Sequence, residues 1–312
     1  MTVLGCSRFA PSATGPAHPG TLLAGLLCWL DARHRGHRVI LRIEDLDPQR
    51  CNPRKVQDLI DQLQWFGLDD WDTVEIQSQH NQRHQHGLQQ LVDSGLVYSC
   101  ICSRSIIRAH NLPAADGGWV YPGTCRGRVL SQRAPDQSSD QVLRIQIDGR
   151  ESLCDESGAD LSQDIAQAMG DPVLVRRDGA ISYHLASVID DSAMGVTRVV
   201  RGQDLAASSA LQARLRRLLG DPIPQYRHHF LLLQPHGAKL AKFHQAVGVP
   251  ELAQKYTGPQ LCGFLAWISG LKPDATPCLP QDLLPHFTWQ RVSLEDRVLH
   301  WDGSQLHGET SI

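Results

Sequence analysis

The sequence lacks long hydrophobic runs, repeats and targeting signals. No apolar segment in its 312 residues reaches the roughly 18 residues that a membrane-spanning helix needs. The first ten residues, MTVLGCSRFA, have no charged stretch followed by an apolar one, so no secretion signal is expected. Internal repeats and low-complexity tracts are also missing. The composition, 41% hydrophobic and 20% charged, is typical of a soluble globular protein.

The cysteines do not form a pattern typical of disulfides. There are nine, an odd number, and they are scattered along the chain. Reduced thiols with one metal site fit this distribution better than a disulfide framework, which favours the cytoplasm. We also expect the protein to act as a monomer.

An excess of positive charge is missing as well. The net charge is −3, so the whole-chain field does not indicate a polyanionic partner. Arginines do cluster locally, at residues 33–38, 126–128 and 214–217. Nucleic-acid binders use such patches, although a solvated helix face explains each patch alone better.

What the chain does have is an alternation of apolar patterns. Strand-like segments cover residues 3–10, 39–43, 73–77, 142–147 and 173–176. Helical patterns cover residues 21–35, 53–66, 82–97 and 205–219, with a short helical tail from about 249. The β-α-β-α-β order of the first third predicts an α/β fold with a Rossmann-type, doubly wound parallel sheet.

A loop near the N-terminus has the features of a phosphate site. The first predicted strand breaks at Pro11, and His18 and Gly20 follow among small residues before a helix that begins near Thr21. Small residues let a phosphate approach the backbone, and a helix N-terminus favours negative charge. The next strand delivers Glu44 at its C-terminal end, where open α/β sheets bind ligands. These features predict nucleotide chemistry.

Three cysteines in an irregular segment suggest a metal site. Cys100, Cys102 and Cys125 lie in a stretch rich in glycine and proline, where a tetrahedral zinc would supply folding energy. The usual C-x2-C spacing is absent, so unrelated buried cysteines remain the alternative. The fourth ligand stays open at this point: His110 is the default choice, and Tyr121 an unusual one.

Three blocks of sequence together resemble a known family. Residues 8–47 resemble the N-terminal half of a class I glutamyl-tRNA synthetase catalytic domain, with HPGT (18–21) in place of its His-Ile-Gly-His-type motif. YHLASVIDD (183–191), followed by VVRGQDL (199–205), resembles the amino-acid pocket of that family. KLAKF (239–243) resembles its Lys-Met-Ser-Lys-Ser loop.

Because few residues follow the third block, the sequence resembles a shortened branch of the family. Only 69 residues follow Phe243, which we expect to be too few for an anticodon-binding domain. That branch activates L-glutamate with ATP without tRNA, then transfers it to queuosine at the wobble position of tRNA(Asp). Its C-x-C…Y-x3-C zinc site implies one structural Zn²⁺ held by Cys100, Cys102, Tyr121 and Cys125, with Tyr121 preferred to His110. Mg²⁺ is expected with ATP.

The resemblance also implies roles for individual residues. The expected catalytic residues are His18 and Lys242, and the expected ATP-binding residues are His18, Gly20, Thr21, Lys239 and Lys242. The expected glutamate-binding residues are Arg8, Phe9, Ala10, Pro11, Ser12, Glu44, Tyr183 and Arg201. Planar guanidinium groups suit this task because they donate paired hydrogen bonds to a carboxylate and keep their charge.

Some of these assignments have simpler alternatives, and the sequence differs from the family motifs at a few positions. His18 alone would be a loop histidine bonded to backbone, Glu44 a cap or surface ion pair, and Arg201 a partner of Asp204. Ala13 replaces a proline of the first block, while Ala241 and Phe243 replace residues of the lysine loop.

The resemblance implies four segments. Residues 1–97 would be the first half of the nucleotide-binding catalytic domain, and 98–141 an inserted zinc-binding subdomain. Residues 142–248 would complete the catalytic domain and include the lysine loop, and 249–312 a short helical C-terminal region. Three alternatives remain: a glutamyl-tRNA synthetase that recognises only the acceptor stem, a nucleotidylyltransferase of another substrate, and a non-catalytic tRNA-binding paralogue.

Overall fold

The computed structural model describes residues 5–110, 112–128, 130, 140–235, 237 and 247–310. In chain order its strands are β1 (Cys6–Phe9), β2 (Arg38–Ile43), β3 (Thr73–Ile76), β4 (Val97–Cys100), β5 (Val142–Ile145), β6 (Arg150–Glu151), β7 (Gln163–Asp164), β8 (Val173–Val175), β9 (Arg198–Gly202), β10 (Gln225–His229), β11 (Leu232–Leu233), β12 (Arg297–Trp301) and β13 (Leu306–Thr310). Its α-helices are α1 (Pro19–His34), α2 (Pro53–Phe66), α3 (Asn81–Asp93), α4 (Arg104–Ala109), α5 (Ile165–Ala168), α6 (Tyr183–Ala193), α7 (Ser209–Leu219), α8 (Val249–Leu252), α9 (Gly258–Ile268) and α10 (Pro280–Leu283). Short 3-10 segments cover Gln77–His80, Gln203–Ser208 and Leu284–His286.

The chain divides into two compact units. The first unit comprises Met1–Ser78, Arg198–Asp204 and Arg227–Ile312. The second unit comprises Gln79–Thr197 and Leu205–Tyr226. The four segment limits given above stay predictions.

A five-stranded sheet forms the centre of the first unit. Its strand order is β10-β9-β1-β2-β3, and β1 runs parallel to both β2 and β9, as β2 does to β3. In β2, RVILRI, five of the six residues are buried, because helices that cross between parallel strands cover both faces of such a sheet. The prediction of a Rossmann-like parallel sheet is confirmed.

Helix α1 is more deeply buried than an amphipathic surface helix. The sequence predicts one buried face of leucines, yet Trp29, Asp31 and Ala32 are buried too. The helix packs on β1, β2 and β9 on one side and on α10 on the other, which leaves little of its surface in water. The C-terminal residues therefore complete the core of the first unit.

Helix α2 has the limits that the sequence predicts. Asn52 caps it by accepting a hydrogen bond from the Lys55 N–H at 2.9 Å, and Pro53 occupies the first turn. Gly67 ends it with a φ of +99°, a conformation that favours glycine. All of these signals are local, which explains the agreement.

The second unit contains a different sheet. Strands β4, β5 and β8 form an antiparallel sheet in the order β4-β5-β8, and helices α3, α6 and α7 contact one another. The helical pattern predicted to reach Val97 ends at Asp93, since Gly95 follows with a φ of +74°. Val97 instead begins β4, which leads directly to Cys100.

The C-terminal region is helical, as predicted, and also contains strands. β12 pairs in parallel with β11 and antiparallel with β13. The Asp302 carboxylate accepts hydrogen bonds from the backbone N–H groups of Ser304 and Gln305, which shapes the turn between β12 and β13. No helix within the described ranges has both the length and the apolar character needed to cross a membrane.

Candidate active site

His18 lies at the N-terminus of α1. Its Nδ1 accepts a hydrogen bond of 3.1 Å from the Gly20 N–H, so the side chain caps the helix. The His18 carbonyl accepts bonds from the N–H groups of Thr21, at 2.8 Å, and Leu22, at 3.1 Å. An imidazole whose Nδ1 is an acceptor carries its proton on Nε2, which makes Nε2 a donor. The loop-histidine alternative therefore describes the bond of Nδ1, and the phosphate role of the ring stays a prediction.

The loop before His18 is fixed from two sides. The Ala17 N–H donates to Gln62 Oε1 of α2 at 2.6 Å, and the Ala17 carbonyl accepts from the Val249 N–H at 2.8 Å. A Cβ on Gly248 would lie 3.1 Å from Pro16 Cβ, so the start of α8 packs closely on this loop. The position of His18 therefore depends on segments far away in the sequence.

The chain after β1 stays paired with the chain after β2. The Glu44 N–H donates to the Pro11 carbonyl at 3.0 Å, and the Ala13 N–H donates to the Glu44 carbonyl at 3.1 Å. This parallel bridge places Ser12 beside Glu44. Ala13 uses a hydrogen bond that the proline of the related motif cannot donate.

Glu44 takes part in an ion pair. Arg42 Nη2 lies 3.1 Å from Glu44 Oε1, and the Arg42 side chain is fully buried. The carboxylate retains 12% exposure, so it is held by a buried cation at the edge of the sheet. The neighbouring Asp45 has a structural contact, because it accepts hydrogen bonds from the backbone N–H and hydroxyl of Ser78 at 2.8 and 2.7 Å.

Arg8 and Arg201 lie on adjacent parallel strands. Ser7 of β1 is in register with Arg198 of β9, so Arg8 is level with residue 199 and Arg201 lies two residues further along β9. Side chains two residues apart on a strand point to the same face of the sheet, so Arg8 and Arg201 share a face. Ser7 Oγ contacts Cys28 Sγ of α1 at 3.7 Å, so the Ser7 face of the sheet is the α1 face. The two arginines therefore share the opposite face, and both are buried, at 4% and 5% exposure.

His228 positions Arg201, a contact that the sequence did not reveal. Arg201 Nε donates to His228 Nε2 at 3.2 Å. His228 belongs to β10, next to β9 in the sheet. The family motif identifies Arg201 but does not indicate its partner. His228 lies in the strand QYRHH, which is separated from that motif by helix α7.

The remaining expected residues differ in their setting. Phe9 packs in the core, stacked on Trp71 with ring centroids 6.0 Å apart, so only its backbone faces the sheet edge. Ala10 is half-buried, and Tyr183 lies in the second unit at the start of α6, 38% exposed. Lys239 and Lys242 lie outside the described residues. In the first unit, Arg8, Ser12, His18, Glu44 and Arg201 lie at the C-terminal ends of β1, β2 and β9 or at the helix that follows β1.

The cysteines of the second unit form a cluster. The Sγ atoms of Cys100, Cys102 and Cys125 all lie within 4.8 Å of one another, and none of the three residues is more than 9% exposed. We call these three residues the thiol cluster. The Tyr121 hydroxyl lies 3.4 Å from Cys100 Sγ, whereas His110 is exposed at the end of α4 and is not part of the group.

The spacing in the thiol cluster suits a tetrahedral zinc. A zinc with bonds of about 2.3 Å to sulfur and about 2.0 Å to oxygen places two sulfurs about 3.8 Å apart, and a sulfur and an oxygen about 3.5 Å apart. The observed values are 3.6 Å between the sulfurs of Cys102 and Cys125, and 3.4 and 4.0 Å from the Tyr121 hydroxyl to the sulfurs of Cys100 and Cys102. Burial raises the pKa of the Cys102 thiol to about 11, so without a cation this thiol stays protonated.

Comparison with known proteins shows the family of the chain. Residues 6–259 match the family model described as tRNA synthetases class I (E and Q), catalytic domain. The chain belongs to this family and is accordingly an ATP-dependent ligase.

The branch is given by the curated relatives. A protein of Symbiobacterium thermophilum is 38% identical over 307 residues, covering 93% of this chain and 94% of its own length. One of Nocardia farcinica is 37% identical over 306 residues, covering 97% and 95%. Both are named glutamyl-Q tRNA(Asp) synthetase. The family resemblance seen in the sequence is confirmed.

Solved structures support the fold. The glutamate-tRNA synthetase of Elizabethkingia anophelis superposes with a TM-score of 0.76 at 23% identity, covering 96% of this chain and 69% of its own. A glutamate tRNA ligase of Elizabethkingia meningosepticum gives a TM-score of 0.74, also at 23% identity, and this chain spans 66% of its length.

Proposed function

We propose that the protein activates L-glutamate with ATP to form glutamyl-adenylate without tRNA, and then transfers the glutamyl group to queuosine at the wobble position of tRNA(Asp). The observation that carries the first half is the pair of buried arginines on one face of the sheet. The second half rests on the names of the curated relatives.

The arginine pair suits a substrate with two carboxylates. Arg8 and Arg201 are buried at 4% and 5% exposure, so their charges act in a medium that screens them weakly. One guanidinium binds the side-chain carboxylate of glutamate through paired hydrogen bonds, and glutamine cannot accept both. His228 holds Arg201 in orientation. Ser12 and the backbone of residues 8–11 complete the proposed pocket in the first unit, and the role of the Tyr183 hydroxyl rests on the sequence resemblance alone.

Glu44 is the proposed partner of the substrate ammonium group. Its carboxylate already pairs with Arg42 at 3.1 Å, and its partial exposure leaves an oxygen surface at the sheet edge. A carboxylate at this position can accept hydrogen bonds from an ammonium group.

His18 is the proposed phosphate contact. In the adenylation step, the α-carboxylate oxygen of glutamate forms a bond to the α-phosphorus of ATP while the bond from that phosphorus to the bridging oxygen of pyrophosphate breaks. The Nε2–H of His18 and the N-terminus of α1 donate hydrogen bonds to phosphate oxygens. Gly20 and Thr21 provide the close backbone approach.

Lys239 and Lys242, with Mg²⁺, are proposed to neutralise the leaving pyrophosphate. Both lysines lie outside the described residues, so this role rests on the KLAKF block alone. A bound Mg²⁺ supplies charge neutralisation on the phosphate oxygens.

Zinc is proposed as a structural metal at the thiol cluster with Tyr121. The donor set of three thiols and one phenol fits the spacing, and the segment around it has little apolar core of its own. The metal therefore supplies folding energy in this proposal and takes no part in the reaction.

The function is tested by glutamate transfer to three RNAs. Labelled glutamate and ATP are supplied with tRNA(Asp) that contains queuosine, with the same tRNA lacking queuosine, and with tRNA(Glu). We expect label only on the queuosine form. Equal labelling of tRNA(Glu) would support an acceptor-stem-only glutamyl-tRNA synthetase, and labelling of none would contradict the transfer half of the proposal.

A further inference from the structure

The segment that carries the thiol cluster, residues 100–128, also presents an exposed aromatic side chain. We call it the cysteine segment. Trp119 is 37% exposed, and the guanidinium carbon of Arg108 lies 5.7 Å from the centre of its ring. Leu112 and Ile106, at 53% and 52% exposure, belong to the same segment. The segment therefore exposes an aromatic ring beside a cation, an arrangement that can bind a flat π-system.

The cysteine segment holds Trp119 in a short hairpin. The Val120 N–H donates to the Leu112 carbonyl at 2.9 Å, and the Ala114 N–H donates to the Gly118 carbonyl at 3.0 Å. Val120 and Tyr121, which follow Trp119, are buried. The exposed indole therefore directly precedes two buried residues, the second of which contacts the thiol cluster.

The charge of the cysteine segment is opposite to that of the whole chain. It contains four arginines and one aspartate, a net charge of +3, whereas the chain carries −3. Arg126 is ion-paired, with Asp148 at 2.9 Å and Asp171 at 2.6 Å. The other three, Arg104, Arg108 and Arg128, are exposed and form no ion pair with any residue that the structure describes.

We infer that the cysteine segment binds an RNA loop, with an unpaired base stacked on Trp119 and its phosphates contacted by Arg104, Arg108 and Arg128. Aromatic rings that stack bases, flanked by arginines for the phosphates, are the usual elements of single-stranded RNA sites. Stacking needs a base outside a duplex, which favours a loop over a stem. The inference rests on the proposed function, where the RNA loop is the anticodon loop of tRNA(Asp).

The test measures binding of the full-length, zinc-loaded protein to a hairpin RNA with the sequence of the tRNA(Asp) anticodon arm. The same stem with its loop closed into duplex is the second probe. Trp119→Ala should raise the dissociation constant for the hairpin about 5- to 100-fold and leave duplex binding unchanged. Trp119→Phe should restore most of the affinity. Arg128→Gln should lower the salt dependence of binding by roughly one phosphate contact.

Trp267→Ala is the matched control, because Trp267 is also 37% exposed but belongs to α9 of the first unit. Zinc content and glutamate-dependent pyrophosphate exchange should be unchanged in Trp119→Ala, which shows that the variant folds. Hairpin binding by Trp119→Ala as tight as wild type, or equal losses in both tryptophan variants, would overturn the inference. A wild-type protein that binds the hairpin but does not exchange pyrophosphate would overturn the proposed function instead.

Discussion

At the scale of single residues, His18 has a structural task and, in the proposed function, a chemical one. Nδ1 caps α1 through the Gly20 N–H, and that bond fixes the proton on Nε2, the nitrogen proposed to contact phosphate. Helix capping and phosphate contact therefore use different atoms of one ring. A substitution can remove one while it keeps the other.

We predict that His18→Asn separates the two tasks. Asparagine is a good helix cap, so the thermal unfolding midpoint should stay near that of wild type, whereas His18→Ala should lose about 1 kcal/mol of stability. Both variants should lose pyrophosphate exchange by about 100-fold, because each lacks the Nε2 donor. Calorimetry and exchange kinetics measure the two effects. Full exchange in His18→Asn would leave His18 with a capping role only.

A second prediction concerns the arginine pair. Arg201→Ala should lower kcat/KM for glutamate in pyrophosphate exchange by at least about 100-fold, because a carboxylate of the bound glutamate would be buried without its cation. Arg201→Lys keeps the charge without the planar fork and should recover only part of the rate. Exposed Arg54→Ala, on α2, is the control. Near-normal exchange by Arg201→Ala would remove Arg201 from the pocket.

Much of the site could be predicted at this scale, because the motif strings name Arg8, His18, Glu44 and Arg201. Their geometry stays compatible with the expected roles, although the roles themselves stay predictions. The partners could not be predicted. His228, Arg42 and Gln62 hold Arg201, Glu44 and the His18 loop, and such contacts depend on sheet register and helix packing.

At the scale of elements, Asp31 connects α1 to β9. Its carboxylate is hydrogen-bonded by Arg198 Nε and by Nη2 at 2.9 Å, and by Trp289 Nε1 at 2.6 Å. Both side chains of the ion pair are 1% exposed. Burial raises the pKa of Asp31, but the bonds and charge of Arg198 outweigh it and hold the pKa below its usual range.

We predict that Asp31→Asn destabilises the protein by about 3–5 kcal/mol at pH 7, since it leaves Arg198 buried without a counter-charge. A lowered folded-state pKa means that the contribution is complete above the unfolded value of about 3.9 and is lost as pH falls below it. The difference from wild type in urea unfolding should therefore shrink below about pH 4. Exposed Asp58→Asn is the control. A difference that is constant with pH would contradict this explanation.

In the second unit, the backbone of Gly170 forms a parallel bridge with the backbone of Tyr121. It has a φ of +70°, and a Cβ there would lie 2.3 Å from the Tyr121 carbonyl oxygen. Gly158 has a φ of +91° but nothing within 4 Å of such a Cβ. Alanine at either position would have an unfavourable positive φ, but only alanine at Gly170 would also clash with a neighbouring atom.

We predict that Gly158→Ala costs about 1–2 kcal/mol, and that Gly170→Ala costs more and also lowers the bound zinc, because it displaces Tyr121. Chemical unfolding and elemental analysis of the purified variants measure both effects. Equal losses of stability with full zinc in both variants would contradict the placement of Tyr121 at the metal.

Elements with local signals could be predicted well, and those set by long-range pairing could not. α2 has its cap, proline and terminal glycine in the sequence, and its limits agree. The hairpin of β12 and β13 has short strands that alternate weakly, and it depends on pairing with β11, so the sequence predicted only helix there. β4 was included in part in a helical pattern for the same reason.

At the scale of the whole molecule, charge is distributed unevenly. The chain carries −3 overall, while the cysteine segment carries +3, so the net charge gives no indication of an RNA partner and the local charge does. The sheet edge proposed to bind nucleotide and amino acid belongs to the first unit. The second unit provides the thiol cluster and the exposed Trp119.

The most direct measurement of the central claim is ATP–pyrophosphate exchange by the wild-type protein in the absence of tRNA, with glutamate, glutamine or aspartate as the amino acid. Glutamate alone should support exchange, because two buried guanidinium groups favour two carboxylates at the spacing of its side chain. Exchange with glutamine at the same kcat/KM, or no exchange with glutamate until tRNA is added, would contradict the account.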